Sequence, residues 1–305
     1  MSSPTMLAGN APPARRRPVG AFLRLVVIEH SVFALPFAYL AALTAMARNG
    51  GRLRVGELLL ITVAMVAART FAMAANRVID RSIDARNPRT AQRELVTGEV
   101  TVPTALAGAL LALAVFFAAA AALSTLCLEL APLAVVPLVA YPYAKRVTWA
   151  PHAVLALAQA VAPIGAWVAV TGRWSGPAVV LGLAVGLWIG GFDLIYACQD
   201  AEIDRVIGVR SVPARFGVRT ALVASAVTHL VTFALFVWFG ALSGLGGWWD
   251  AGLAVTAVIF GYEHAVVRPG DLSRVNRAFF TANGLVSFLL FGFAVADLAS
   301  GGLHW

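Results

Sequence analysis

A chain of 305 residues that is 60% hydrophobic and only 12% charged is not an ordinary soluble domain, which carries about twice that charged fraction. The net charge of +8 suggests nucleic acid at first sight. The basic residues, however, cluster in alternate loops between apolar runs, as the positive-inside rule expects of an integral membrane protein and a nucleic-acid-binding stripe does not.

Residues 1–19 are rich in Pro, Ala and Arg, with Arg15, Arg16 and Arg17 adjacent, and read as a disordered cytoplasmic tail. A secretory signal competes for this stretch, but Arg24, Glu29 and His30 interrupt the apolar run that follows, which is also too long. Residues 20–305 then read as one membrane domain. Apolar segments at 22–47, 55–76, 102–123, 126–144, 152–171, 177–199, 219–241, 250–267 and 279–298 each approach the ~20 residues that span hydrocarbon. The expectation is an all-α, polytopic bundle of nine transmembrane helices. With the N-terminus inside, eighteen of the 23 basic residues fall on the cytoplasmic side, while Arg48, Arg52, Arg54 and Arg173 fall outside and Arg69 lies within the second helix.

At the end of that second segment, Asn76, Asp80 and Asp84 recur every fourth residue, so on a helix all three line one face. Asp200 and Asp204 repeat the spacing 120 residues downstream, again ending an apolar segment, with Asp193 two turns earlier and Tyr196 close to the stripe. One such pair alone is equally well explained as the solvated end of a helix. Two pairs in matching places, at 76–84 and 193–204, point to one site built from two halves. Carboxylate and amide oxygens suit a hard cation such as Mg2+, which keeps positions open for water or phosphate oxygens.

The loops after both clusters carry arginines among turn residues: Arg77, Arg86 and Arg93 in 77–101, and Arg215 in 207–217. With Lys145 and Arg146 at the end of the fourth segment, they are candidates to grip a diphosphate; for any single one, positive-inside topology is an equal explanation. Tyr141 and Tyr143 fit either a site wall or an interfacial belt. Arg69, seven residues before Asn76, is costly at its depth unless paired, with Asp193 or a substrate oxygen as partner. Glu29–His30 would be satisfied by an internal Glu–Arg or His–backbone pair, and Glu263–His264 and Asn283 read as interhelical hydrogen-bonding groups. Cys127 and Cys198 lie in apolar surroundings without a ligand spacing and read as buried apolar residues.

Asn76-x3-Asp80-x3-Asp84 with Asp200-x3-Asp204 on such a chain resembles the UbiA superfamily of intramembrane prenyltransferases. The runs Asp84-Ala85-Arg86-Asn87-Pro88-Arg89-Thr90, Tyr143-x-Lys145-Arg146 and Asp193-x2-Tyr196-x2-Gln199-Asp200 resemble its quinone-pathway branch, typified by 4-hydroxybenzoate polyprenyltransferases. The stretch Glu29 to Phe37, and Arg205-x2-Gly208-x2-Ser211-Val212-Pro213-Ala214-Arg215-Phe216-Gly217, resemble its MqnP group, which prenylates a dihydroxynaphthoate on the futalosine route to menaquinone. Tyr196 stands where symmetry with Asn76 would place Asn.

The resemblance implies that Asn76, Asp80, Asp84, Asp200 and Asp204 bind Mg2+ ions that chelate a polyprenyl diphosphate. Arg77, Arg86, Arg93, Lys145, Arg146 and Arg215 would contact the diphosphate. Asp193, Arg69 and Tyr196 would serve catalysis on a hydroxylated aromatic acid, in the cell membrane, facing the cytoplasm. A transporter is the competing class, since paired acids in repeat-like halves occur there too; its coupling sites usually lie at the midplane, whereas these clusters lie at a membrane boundary.

Overall fold

The computed structural model describes residues 18–26, 31–275 and 281–301. The tail expected at the N-terminus up to residue 17 and the pair Glu29–His30 lie outside the described residues. The chain forms helices α1 (Pro18–Leu25), α2 (Ser31–Arg48), α3 (Val55–Asp84), α4 (Glu94–Thr97), α5 (Val102–Leu123), α6 (Thr125–Val147) and α7 (Pro151–Thr171). There follow α8 (Gly176–Ala197), a 3-10 turn (Cys198–Asp200), α9 (Ala201–Ile207), α10 (Val212–Phe216), α11 (Val218–Ser243), α12 (Gly247–Val266) and α13 (Asn283–Ser300).

The all-α, polytopic reading holds. Seven described helices are long and apolar enough to cross a membrane: α3, α5, α6, α7, α8 with its continuation to Ile207, α11 and α13. α2 offers a shorter apolar stretch, Leu35–Arg48, and α12 is not among the seven, so nine spans are not established on that measure. Leu110, Leu111, Leu133, Leu230 and Val258 point outward with more than half of their surface exposed, as side chains bathed in lipid do.

Of the first segment, expected as one helix over 22–47, the described parts are α1, which ends at Leu25, and α2, which begins at Ser31. α3 runs on beyond the apolar segment to Asp84, as the Asn76–Asp80–Asp84 stripe requires, and its polar last turns find partners: Arg77 Nε donates to the Leu25 carbonyl at 3.3 Å and Arg81 Nε to that of Leu95 at 3.1 Å. The second cluster is not on one straight helix either. The 3-10 turn over Cys198–Asp200 separates Asp193 on α8 from Asp204 on α9.

α3 packs on α5 and α6, α6 on α7, α7 on α8 and α2, α8 on α11, and α12 on α13, which returns to α2. One buried cluster joins α2, α7, α8, α11, α12 and α13, with Phe37 stacked on Phe236 at 5.8 Å and tilted against Trp188 at 5.0 Å. The tightest seam lies between α7 and α8. Gly182, Gly186 and Gly190 recur every fourth residue on α8, facing the backbone of α7. A Cβ at Gly182 would lie 2.8 Å from the Ala160 carbonyl oxygen and one at Gly190 would lie 3.1 Å from that of His152; at Gly186 it would collide with the Ala156 carbonyl. Small residues at this spacing let two helices approach closely where lipid offers no hydrophobic drive to association.

Gly186→Ala therefore forces the seam apart and costs about 1–3 kcal/mol, as overpacking generally does, read as a lower unfolding temperature in detergent. Gly261→Ala on α12, where a Cβ would meet nothing within 4 Å, leaves that temperature unchanged or slightly higher.

Candidate active site

The end of α3, the start of α7, and the α8–α9 junction converge on a cavity of about 910 Å³. Its deep wall is apolar, with Ala64, Ala68, Leu130, Ala134, Val161 and Ile164 among its residues. Its polar end holds Asn76, Asp84, Asp193, Tyr196, Asp200 and Asp204, so both halves of the sequence motif face one space. Asp80 is different. It is 0% exposed and does not line the cavity, although it shares the helix stripe of Asn76 and Asp84.

Every carboxylate at this end has a partner. Lys145 Nζ lies 2.5 Å from Asp80 Oδ2 and Arg146 Nη2 lies 3.3 Å from Asp80 Oδ1. Arg93 Nη1 lies 2.6 Å from Asp84 Oδ1. Asp204 Oδ2 accepts from Ser211 Oγ at 3.3 Å. Asp200 accepts from Asn87 Nδ2 at 3.3 Å and from Arg89 Nε at 3.0 Å, with Arg89 Nη2 on its other oxygen. Arg89 also donates from Nη1 to the Tyr196 hydroxyl at 3.1 Å and lies over the tyrosine ring at 5.2 Å. Burial alone lowers the Arg89 guanidinium, but the hydrogen bond and charge of Asp200 outweigh it, leaving the group above its ordinary value. The loop after the first cluster thus reaches across to hold the second. Its counterpart is tied down as well: Arg210 Nη1 donates to the Val147 carbonyl at 2.7 Å, and the Arg210 N–H to that of Lys145 at 2.8 Å.

The other basic candidates divide. Arg77, Arg93 and Lys145 line the cavity. Arg146 is taken up by Asp80 and the Ile79 carbonyl, the latter at 2.5 Å. Arg86 bonds back to the Ser82 carbonyl at 3.3 Å, and Arg215 is exposed; neither lines the cavity. Arg69 lines it below the acids, with Nε buried and lacking a hydrogen-bond partner. The expected pairing of Arg69 with Asp193 is absent, because Asp193 Oδ2 is 2.5 Å from Nδ1 of His152.

His152, Arg89, Asn87 and Arg210 are site residues that sequence reasoning did not single out. Arg89 and Asn87 lie within a run already noted as motif-like. His152 follows Pro151 in the first turn of α7, and no spacing in the sequence ties it to Asp193.

Among the described residues, no group of three or more His, Cys, Asp or Glu side chains is gathered closely enough to hold a metal ion. The donor set nonetheless fits a hard cation: Asn76, Asp84, Asp200 and Asp204 bring oxygen ligands to one cavity without a thiolate or imidazole among them.

The sequence profile of the UbiA prenyltransferase family matches residues 34–285. This chain belongs to the UbiA prenyltransferase family. The UbiA-family chain is 31% identical over 262 residues to a 4-hydroxybenzoate octaprenyltransferase of Pseudomonas fluorescens, covering 85% of this chain and 87% of that one. It is 30% identical over 275 residues to the enzyme of that name from Cupriavidus necator, covering 90% and 96%. Among solved structures, the apo form of a UbiA homologue from Aeropyrum pernix superposes with a TM-score of 0.80 at 35% identity, over 88% of this chain and 98% of that one. A UbiA homologue from Archaeoglobus fulgidus bound to GPP and Mg2+ shares the fold, with a TM-score of 0.70 at 20% identity over 92% and 99%. The protein is thus a multi-pass membrane prenyltransferase, and the transporter alternative falls away.

Because Asp80 is buried and paired with two cations, Lys145→Met in this UbiA-family chain leaves its charge half-compensated and costs about 3–5 kcal/mol. Arg86→Ala, which severs only a bond to its own helix, leaves the unfolding temperature in place. Thermal unfolding of the two purified variants checks both.

Proposed function

We propose that the protein transfers a polyprenyl group from a polyprenyl diphosphate to a ring carbon of a hydroxylated aromatic acid in quinone biosynthesis, with Mg2+ as cofactor. The observation that carries this is the juxtaposition of two aspartate clusters, from distant parts of the chain, at the polar end of a cavity whose deep wall is apolar. A diphosphate head and an isoprenoid tail have the same division. A dihydroxynaphthoate is the favoured acceptor, on the likeness of 205–217 and of Glu29 to Phe37 to the MqnP group. The names of the relatives favour a second reading, 4-hydroxybenzoate.

In this reading Asn76, Asp84, Asp200 and Asp204 hold Mg2+, with Asp80 joining when Lys145 turns to substrate. The metal supplies charge neutralisation of the departing diphosphate. Arg89, Arg93 and Lys145, each now on a carboxylate, exchange those partners for phosphate oxygens. The guanidinium and ammonium donors stabilise charge as the allylic C–O bond breaks. The apolar wall shelters the allylic cation from water. Arg69, deeper in the cavity, holds the acceptor's carboxylate through its planar fork, and the acceptor's hydroxyl lies toward Asp193. Tyr196 steadies Arg89 and with it the second cluster. Arg77 borders the diphosphate, with Arg86, Arg146 and Arg215 outside its immediate contacts. The charge asymmetry of the loops supports a plasma-membrane protein with this site facing the cytoplasm, and residues 20–305 as one domain.

Asp200→Ala abolishes product formation from a polyprenyl diphosphate and an aromatic acid while the protein stays folded; EDTA does the same to the parent protein and Mg2+ restores it. Near-normal activity in either case sinks the two-cluster site. Comparing dihydroxynaphthoates with 4-hydroxybenzoate as acceptors, with one donor, decides between the two readings.

Arg69→Lys keeps the charge and loses the fork. It raises KM for the aromatic acid far more than KM for the diphosphate. If only the diphosphate KM moves, Arg69 belongs to the phosphate end.

A further inference from the structure

The geometry points to His152 as the base that takes the acceptor's hydroxyl proton, with Asp193 as its positioning residue. This rests on the prenyl-transfer reading above and names the atom that receives the proton. Both residues line the cavity. Asp193 Oδ2 is 2.5 Å from His152 Nδ1, and a carboxylate at Nδ1 fixes the tautomer that carries N–H there and leaves the lone pair on Nε2. Nε2 is buried and makes no hydrogen bond. A buried ring nitrogen without a partner is a cost to the folded state, and a substrate hydroxyl seated beside it removes that cost.

The placement is rigid. His152 lies in the first turn of α7, behind Pro151. Its carbonyl oxygen would be 3.1 Å from a Cβ at Gly190, three residues before Asp193, so the glycine seam holds the two backbones together at this level. The histidine that closes the gap is 5% exposed. Asp193 Oδ2 is committed to the imidazole, which suits it to orient the histidine.

The step balances. The acceptor's O–H bond breaks and its proton passes to Nε2. The allylic C–O bond breaks and its pair leaves with the diphosphate, and the electron pair left on the acceptor's oxygen drives through the ring to form the bond between ring carbon and allylic cation. Asp193 compensates the imidazolium. The hydrogen on the attacked carbon then shifts to the ring oxygen as aromaticity returns, and the imidazolium releases its proton to water.

The test uses the full-length protein in lipid nanodiscs with Mg2+, a polyprenyl diphosphate and two hydroxylated aromatic acids, one acidified by a ring nitro group. His152→Gln lowers kcat by about 10²–10⁴-fold, the usual range for a positioned base, with KM for the diphosphate unchanged. The loss shrinks for the nitro acceptor, whose proton needs less help. Imidazole added to His152→Ala restores part of the rate. Asp193→Asn lowers kcat in the same acceptor-dependent way. Unchanged kcat with a lowered unfolding temperature means that His152 only fastens α7 to α8, and overturns the inference; so does a loss of equal size for both acceptors. If alanine at 152 prevents folding, His152→Gln carries the test alone, because its amide keeps a donor for Asp193. Failure of the unaltered protein to prenylate any aromatic acid overturns the underlying reading instead, and needs no variant to see.

Discussion

The close approach of α7 and α8 is the constraint on which the rest depends. Three glycines at four-residue intervals let the backbones meet where a Cβ at Gly182 or Gly186 would collide with a carbonyl and one at Gly190 would crowd one, and the aromatic cluster around Trp188 closes the other side of α8. In a bilayer this is a packing choice: lipid tails are as apolar as leucine, so association rests on van der Waals contact that only small residues allow. The seam carries two consequences. It brings the start of α7 against the last turns of α8, and it frees space on the α3 and α6 side, where the cavity lies.

The second organising element is charge. Placing acids at the end of a hydrophobic bundle is tolerable only if each is paired or hydrated, and here each has found a partner from another part of the chain. Asp80 draws in the end of α6, Asp84 the loop that follows its own helix, and Asp200 the same loop from the opposite half. These pairs do two jobs. They fasten the loop after α3 and the end of α6 over the mouth of the cavity, and they keep cations waiting where a diphosphate would require them. Swapping one anion for another leaves the cations satisfied, and the carboxylates so released are the ones proposed to hold the metal.

Arg69 and His152 stand apart from that economy. Both line the cavity below the acids, and each has a ring or guanidinium nitrogen with no hydrogen-bond partner. Two such nitrogens on the wall of one cavity suit a ligand with polar groups of its own. That favours an aromatic acid over a purely apolar guest.

Membrane insertion, the all-α class and the two aspartate clusters were legible in the amino-acid sequence, because hydropathy over about 20 residues and side chains recurring every fourth residue are local properties of a helix. Asn76, Asp84, Asp200 and Asp204 do meet in one cavity, as the spacing implied. Local periodicity does not say which member of a stripe turns inward, and Asp80 was resolved only by the approach of Lys145 and Arg146. Nor does it separate Arg89, which crosses to Asp200, from Arg86 three residues earlier, which bonds to its own helix. The His152–Asp193 contact joins residues 41 apart. Only the glycine seam brings them together, and a partner chosen by helix packing leaves no periodic trace along the chain.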